Sequence, residues 1–227
     1  MQLHASAIAI ISQKWHITTM RWEELLSFVG DEPVFRSSLF ITGPTVSANI
    51  PRQLSRWVSS GRLIQLRKGL YTLAEPYCKI KPHPFLIANK MKRASYVSMQ
   101  SALVYHGLIP EYVPSVTSVS TGRPERVSTL LGNYIFRHIK TTWFYDYRNI
   151  DIGQGQSAFI ASPEKALLDL VYLTPGSDNI AYLTELRLQN AEVLDLTRMI
   201  QLAEKSGSHK LIRAARKIEY LANQEKG

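Results

Sequence analysis

Cysteine is nearly absent from this chain. Cys78 stands alone among 227 residues, which excludes an internal disulfide framework and a zinc site built on several thiolates. A lone thiol fits a reducing, cytoplasmic setting, and neighbouring lysines are expected to favour its thiolate modestly. Long apolar runs are also missing. None approaches the roughly 18 residues that a membrane-spanning helix requires, so no membrane partner is expected. The short apolar stretch within residues 1–11 lacks a basic flank and a cleavage site, and residues 1–19 read as a leader of unknown role. Catalytic signatures are absent as well: there is no P-loop, no GxGxxG after a strand and no HExxH. His83, His106 and His138 are scattered and read as a turn, a helix end and a strand face. No catalytic residue, metal or cofactor is expected.

Acidic residues are missing where it matters most. The chain carries a formal net charge of +9, and from Pro33 to Ala74 it has six basic residues and no Asp or Glu. Such a surplus suggests a polyanionic partner, nucleic acid before an acidic membrane surface. The same stretch has apolar periodicity, so it reads as a folded basic module. Trp22, Leu25, Leu26 and Val29 share one helical face, closed by Gly30 and Pro33. Phe35 to Phe40 reads as a short second helix. In a third, Ile50, Leu54, Trp57 and Val58 form an apolar stripe, with Asn49 as N-cap, Pro51 in the first turn and Gly61 as the stop. The period then changes from 3.6 to 2. Leu63 to Leu66 and Leu70 to Leu73 read as strands joined by the turn Arg67-Lys68-Gly69.

Three helices followed by a basic hairpin describe a winged helix-turn-helix over residues 20–76. Arg52, Gln53 and Arg56 are then the base-reading candidates, because planar donors match base edges. Ser47, Asn49, Arg62, Arg67 and Lys68 are the phosphate-binding candidates. The competing readings are a solvated helix face above a structural hairpin, and a winged helix that serves as a protein-interaction module.

Residues 77–84 read as a proline-bearing linker, and residues 85–227 as a mixed α/β domain, giving an α+β fold class overall. Helices are expected at Phe85 to Lys92, Ser98 to Tyr105, Tyr182 to Leu188, Asp195 to Lys205 and His209 to Asn223. Strands are expected at Val116 to Ser120, Tyr134 to Ile139, Trp143 to Tyr145 and Ser157 to Ile160. Ser162-Pro163-Glu164 opens a further helix, with a cap, a first-turn proline and a first-turn acid. Two more acid-free clusters follow: Lys79, Lys81, Lys90, Lys92 and Arg93, and then Lys205, Lys210, Arg213, Arg216 and Lys217. Lys210, Arg213 and Lys217 fall on one stripe and mark a candidate secondary basic surface, against the plainer reading of a solvated face.

Four blocks, in order, resemble the AbiEi-type antitoxins. Leu63-Ile64-Gln65-Leu66-Arg67-Lys68-Gly69-Leu70-Tyr71 is similar to their wing. Tyr96-Val97-Ser98-Met99-Gln100-Ser101-Ala102-Leu103-Val104-Tyr105-His106-Gly107-Leu108-Ile109-Pro110 resembles the opening of their second domain. Phe136-Arg137-His138-Ile139 resembles one of their strands, and Ala161-Ser162-Pro163-Glu164-Lys165-Ala166-Leu167-Leu168-Asp169-Leu170 a recognisable helix. The resemblance implies a bacterial transcriptional autoregulator that represses its own operon at inverted repeats in double-stranded DNA. It also implies a C-terminal domain carrying antitoxicity in a type IV toxin–antitoxin, or abortive-infection, system. The implied functional partner is a nucleotidyltransferase toxin, opposed without a stable complex. The chain departs from the family in its first 20 residues and in Pro51, which limits where the third helix can begin. Two alternatives stay open: a regulator without a toxin, and a nuclease with a DNA-targeting winged helix. The carboxylates for the latter would be Glu164, Asp169, Asp146 and Asp151.

Overall fold

A computed structural model describes residues 20–40, 49–110 and 113–224. Among these residues the chain is mixed α and β, with eight α-helices and two sheets. It divides between Lys81 and Pro82 into two compact units.

The first unit opens with α1 (Trp22–Val29), which buries Trp22, Leu25 and Val29 and ends at Gly30, where φ is +56°. A left-handed backbone is what glycine tolerates at a helix end. The expected second helix is a two-residue strand, β1 (Phe35–Arg36), followed by a 3₁₀ turn over Ser37–Phe40. Tertiary pairing overrides the local pattern there. Phe35 and Arg36 lie opposite Tyr71 and Leu70 and extend the hairpin into a three-stranded sheet. Helix α2 (Asn49–Ser59) buries Ile50 and Leu54. Strands β2 (Leu63–Arg67) and β3 (Leu70–Leu73) follow, in sheet order β1-β3-β2. Met20, Trp22, Leu25, Phe35, Ile50, Leu54 and Leu63 share one core.

The second unit holds α3 (Pro84–Met91), β4 (Ser95–Val97), α4 (Met99–Tyr105) and β5 (Ser115–Ser120). Strands β6 (Glu125–Thr129), β7 (Gly132–His138), β8 (Tyr147–Gly153) and β9 (Gln156–Ala161) complete a six-stranded sheet of order β6-β7-β5-β4-β9-β8. It is mixed: β5 runs parallel to β7 and β4 parallel to β9, with the other pairs antiparallel. The chain ends in α5 (Pro163–Leu173), α6 (Ile180–Glu185), α7 (Leu196–Lys205) and α8 (His209–Gln224).

Trp143 is not in a strand as expected but in a 3₁₀ turn, Thr141–Trp143, that turns its ring into the core. Helix α5 begins as expected: the Ser162 hydroxyl accepts from the Lys165 N–H at 3.1 Å, just ahead of Pro163. It is buried on every side from Glu164 to Val171, packed against α4, α7 and α8.

Candidate nucleic-acid interface

Helix α2 is two-sided. Ile50 and Leu54 are buried, with Trp57 and Val58 half-buried beside them, and the far side is Arg52, Ser55, Arg56 and Ser59, all exposed. These four recur at i, i+3, i+4 and i+7 and therefore share one face. Ser55 was not among the expected residues. Its spacing from Arg52 is the signal that finds it. Two small hydroxyl side chains beside two guanidiniums leave room for close approach.

Gln53 lies off this face. Its amide nitrogen donates to the Met20 carbonyl at 2.9 Å, and its carbonyl oxygen accepts from the Met20 N–H at 3.0 Å. The side chain works as a clamp on the entry to α1, which removes it from the base-reading set. Asn49 is exposed and is the first described residue of α2. Ser47 falls outside the described residues.

Arg62 is exposed, yet its guanidinium sits over the Trp22 ring, 5.4 Å from the centroid. Trp22 in turn meets Trp57 and Tyr77 edge-on at 5.2 and 4.9 Å. The cation is thus held at the junction of α1 and α2. Arg67 is half-exposed beside an irregularity in β2, and Lys68 is exposed at the turn. Gly69 carries φ +76°, and an added Cβ would come within 3.2 Å of the Ser37 hydroxyl. The Ser37 N–H donates to the Gly69 carbonyl at 3.0 Å. The turn therefore has a fixed anchor, while Lys68 points its charge outward.

Lys210, Arg213 and Lys217 do not form the open stripe expected of them. The Lys210 ammonium donates to the Val171 and Thr174 carbonyls at the end of α5. Arg213 donates twice to Asp178, at 3.0 and 2.7 Å, and Lys217 donates to the Asp178 carbonyl at 2.8 Å. Lys210 is spent on the C-terminal end of α5, where carbonyls lack helical partners and the dipole is negative, and Arg213 and Lys217 on Asp178 in the segment that follows.

The carboxylates weighed for metal-dependent cleavage are likewise engaged. Buried Glu164 accepts from the Asp195 N–H at 3.0 Å. Asp146 accepts from the Ser162 hydroxyl at 2.6 Å and pairs with Arg198, and Asp151 accepts from the Gly153 N–H at 2.8 Å. Asp169, fully buried, accepts from Tyr96 (3.0 Å), Ser98 (2.7 Å) and the Trp143 indole (2.7 Å), and pairs with Lys165. Burial pulls the Lys165 ammonium below the usual lysine range, and the Asp169 carboxylate opposes that pull. The Lys165 nitrogen also lies 4.2 Å from the Trp143 ring centroid.

The three histidines have structural partners. His83 Nδ1 accepts from the Phe85 N–H at 3.1 Å and caps α3, while His106 and His138 bond the Ala161 and Gly122 carbonyls at 2.8 and 3.1 Å. Burial, and after it the charge of Glu75, push the Cys78 thiol up. This is opposite to the expected effect of the lysines: desolvation of the thiolate outweighs their attraction.

No protein-family model matches the chain, and no curated protein matches its sequence.

Proposed function

We propose that the first unit is a winged helix-turn-helix that sets α2 into the major groove of duplex DNA. On this reading the chain represses its own operon and acts as the antitoxin of a type IV toxin–antitoxin pair. The observation that carries the DNA-binding part is the exposed Arg52–Ser55–Arg56–Ser59 face on a helix whose other side is core. That face lies in a stretch without acid and is followed at once by a hairpin with Lys68 at its turn. The order helix, strand, short 3₁₀ turn, helix and hairpin also supports it, since winged helices place a helix in the groove and a hairpin beside it. Arg52 and Arg56 read bases, and Lys68 and Arg67 meet phosphates. The antitoxin part rests on the sequence resemblance. Its functional partner is a nucleotidyltransferase toxin.

A salt-titrated mobility-shift assay on DNA upstream of the gene, with scrambled duplex as competitor, tests the reading. Binding that resists the competitor is expected. Equal binding to both duplexes, or none, overturns the repressor assignment. Co-expression with a neighbouring nucleotidyltransferase should restore growth that the enzyme alone suppresses; continued arrest removes the antitoxin part and leaves a plain regulator.

A further inference from the structure

Lys90 and Arg93, at the end of α3, border a cleft on the β8 edge of the six-stranded sheet. Tyr147, Asn149 and Phe159 line it, no acidic side chain does, and its volume is about 380 Å³. Phe159 is its unusual member. In β9, Gln156, Ala158 and Ile160 are buried while Ser157 and Phe159 alternate outward, and the Phe159 ring is left 44% exposed. Leaving an aromatic surface of that size in water forgoes the stabilisation its burial would bring.

The ring is also held in place. It meets Tyr147 at 5.7 Å and 88°, and Tyr147 stacks at 4.6 Å and 14° on the fully buried Tyr96. The Phe159 N–H donates to the Asn89 side-chain oxygen at 2.6 Å, and the Asn89 amide donates to the Ser95 carbonyl at 3.3 Å. Arg93 is exposed and has no hydrogen-bond or ion-pair partner among the described residues. A pre-positioned aromatic face in an open acid-free cleft that two cations also line matches a ligand that offers both a flat apolar ring and negative charge. A larger cleft of about 610 Å³ includes Arg126 and Arg137, but Glu185 shares it and repels a polyanion.

We propose that the Phe159 cleft binds a segment of single-stranded nucleic acid. One base stacks on Phe159, and the adjoining phosphates are held by Lys90 and Arg93. Single strands expose the base faces that a duplex hides, and stacking platforms beside cationic tracks are how proteins hold them without reading sequence. The cleft lies on an edge strand, so a chain can enter and leave along it. This proposal does not depend on duplex binding by the first unit.

Fluorescence anisotropy of short labelled oligothymidine and oligouridine with the full chain at low salt is the test. Saturable binding is expected to weaken by about tenfold in Phe159→Leu and to persist in Phe159→Tyr. Arg93→Ala should weaken it and lower the salt slope by about 0.7. Both changes should leave duplex operator binding untouched, and the double variant Arg52→Ala/Arg56→Ala should leave oligonucleotide binding untouched. Absence of saturable binding overturns the proposal. So does binding that survives Phe159→Leu and Arg93→Ala, or that disappears with Arg52 and Arg56. Competition by thymidine monophosphate as strong, per nucleotide, as by the oligomer also overturns it, in favour of a free-nucleotide pocket.

Discussion

Asp169 receives three hydrogen bonds and the Lys165 ammonium while having no contact with solvent. Such a pair contributes little net stability, because desolvation of both charges offsets their attraction, but breaking it strands a buried charge. Asp169→Ala should therefore cost about 3–5 kcal/mol in chemical denaturation, while Lys165→Met/Asp169→Asn, which removes both charges and keeps a side-chain acceptor for the donors, should cost less. Equal losses in the two variants would remove the ion pair as the cause. On the face proposed to read bases the contrast is between neighbours. Arg52→Ala or Arg56→Ala should cost about 1–3 kcal/mol of operator binding and relax specificity at one base pair. Gln53→Ala should instead lower stability by about 0.5–1.5 kcal/mol, through the lost bonds to Met20, and leave base preference alone. A base-specific defect in Gln53→Ala would return that residue to the reading face.

At the scale of elements, charge is used in two ways that the sequence does not distinguish. The β2–β3 turn carries Lys68 outward from an anchored glycine. If it meets phosphate, Lys68→Ala should weaken binding similarly on every sequence and lower the salt slope by about 0.9. An unchanged slope would mean that the turn stays off the backbone. The α8 cations are met by the chain itself, Lys210 at the end of α5 and Arg213 and Lys217 at Asp178. Both sets lie in acid-free stretches, and periodicity places both on single helical or hairpin surfaces. What separates them is whether a carbonyl or carboxylate from elsewhere in the chain meets them.

Across the whole molecule, buried phenols make the fold sensitive to alkali. Burial pushes Tyr134 up to about 12, and burial followed by the Asp169 charge pushes Tyr96 higher still. A raised folded value means that the native state holds the proton more tightly. The stabilisation is fully present below the ordinary tyrosine value near 10 and is lost as pH rises through about 12. Lys165 has the opposite sign: its lowered value penalises the native state at low pH, the penalty lifts as pH rises to the ordinary lysine range near 10.4, and nothing further is gained above it. Circular dichroism at stepped pH should therefore show stability falling above about pH 10. A flat profile there would place these phenols in contact with water.

Much of this architecture follows from local pattern. Apolar spacing and capping residues mark α1, α2 and α5, the change of period at Gly61 marks the hairpin, and missing acid marks the basic module. These are legible because short-range backbone geometry and solvent exposure impose them wherever they occur. Tertiary structure alone decided the rest. It drew Phe35 and Arg36 into a strand by pairing with β3, made the three-residue β4 a central strand, and turned Trp143 inward toward Asp169. It also assigned Gln53 to Met20, Lys210 to the end of α5 and Arg213 and Lys217 to Asp178, and left the Phe159 ring exposed. Each of these depends on what long-range folding brings beside a residue, and neither periodicity nor composition carries that information.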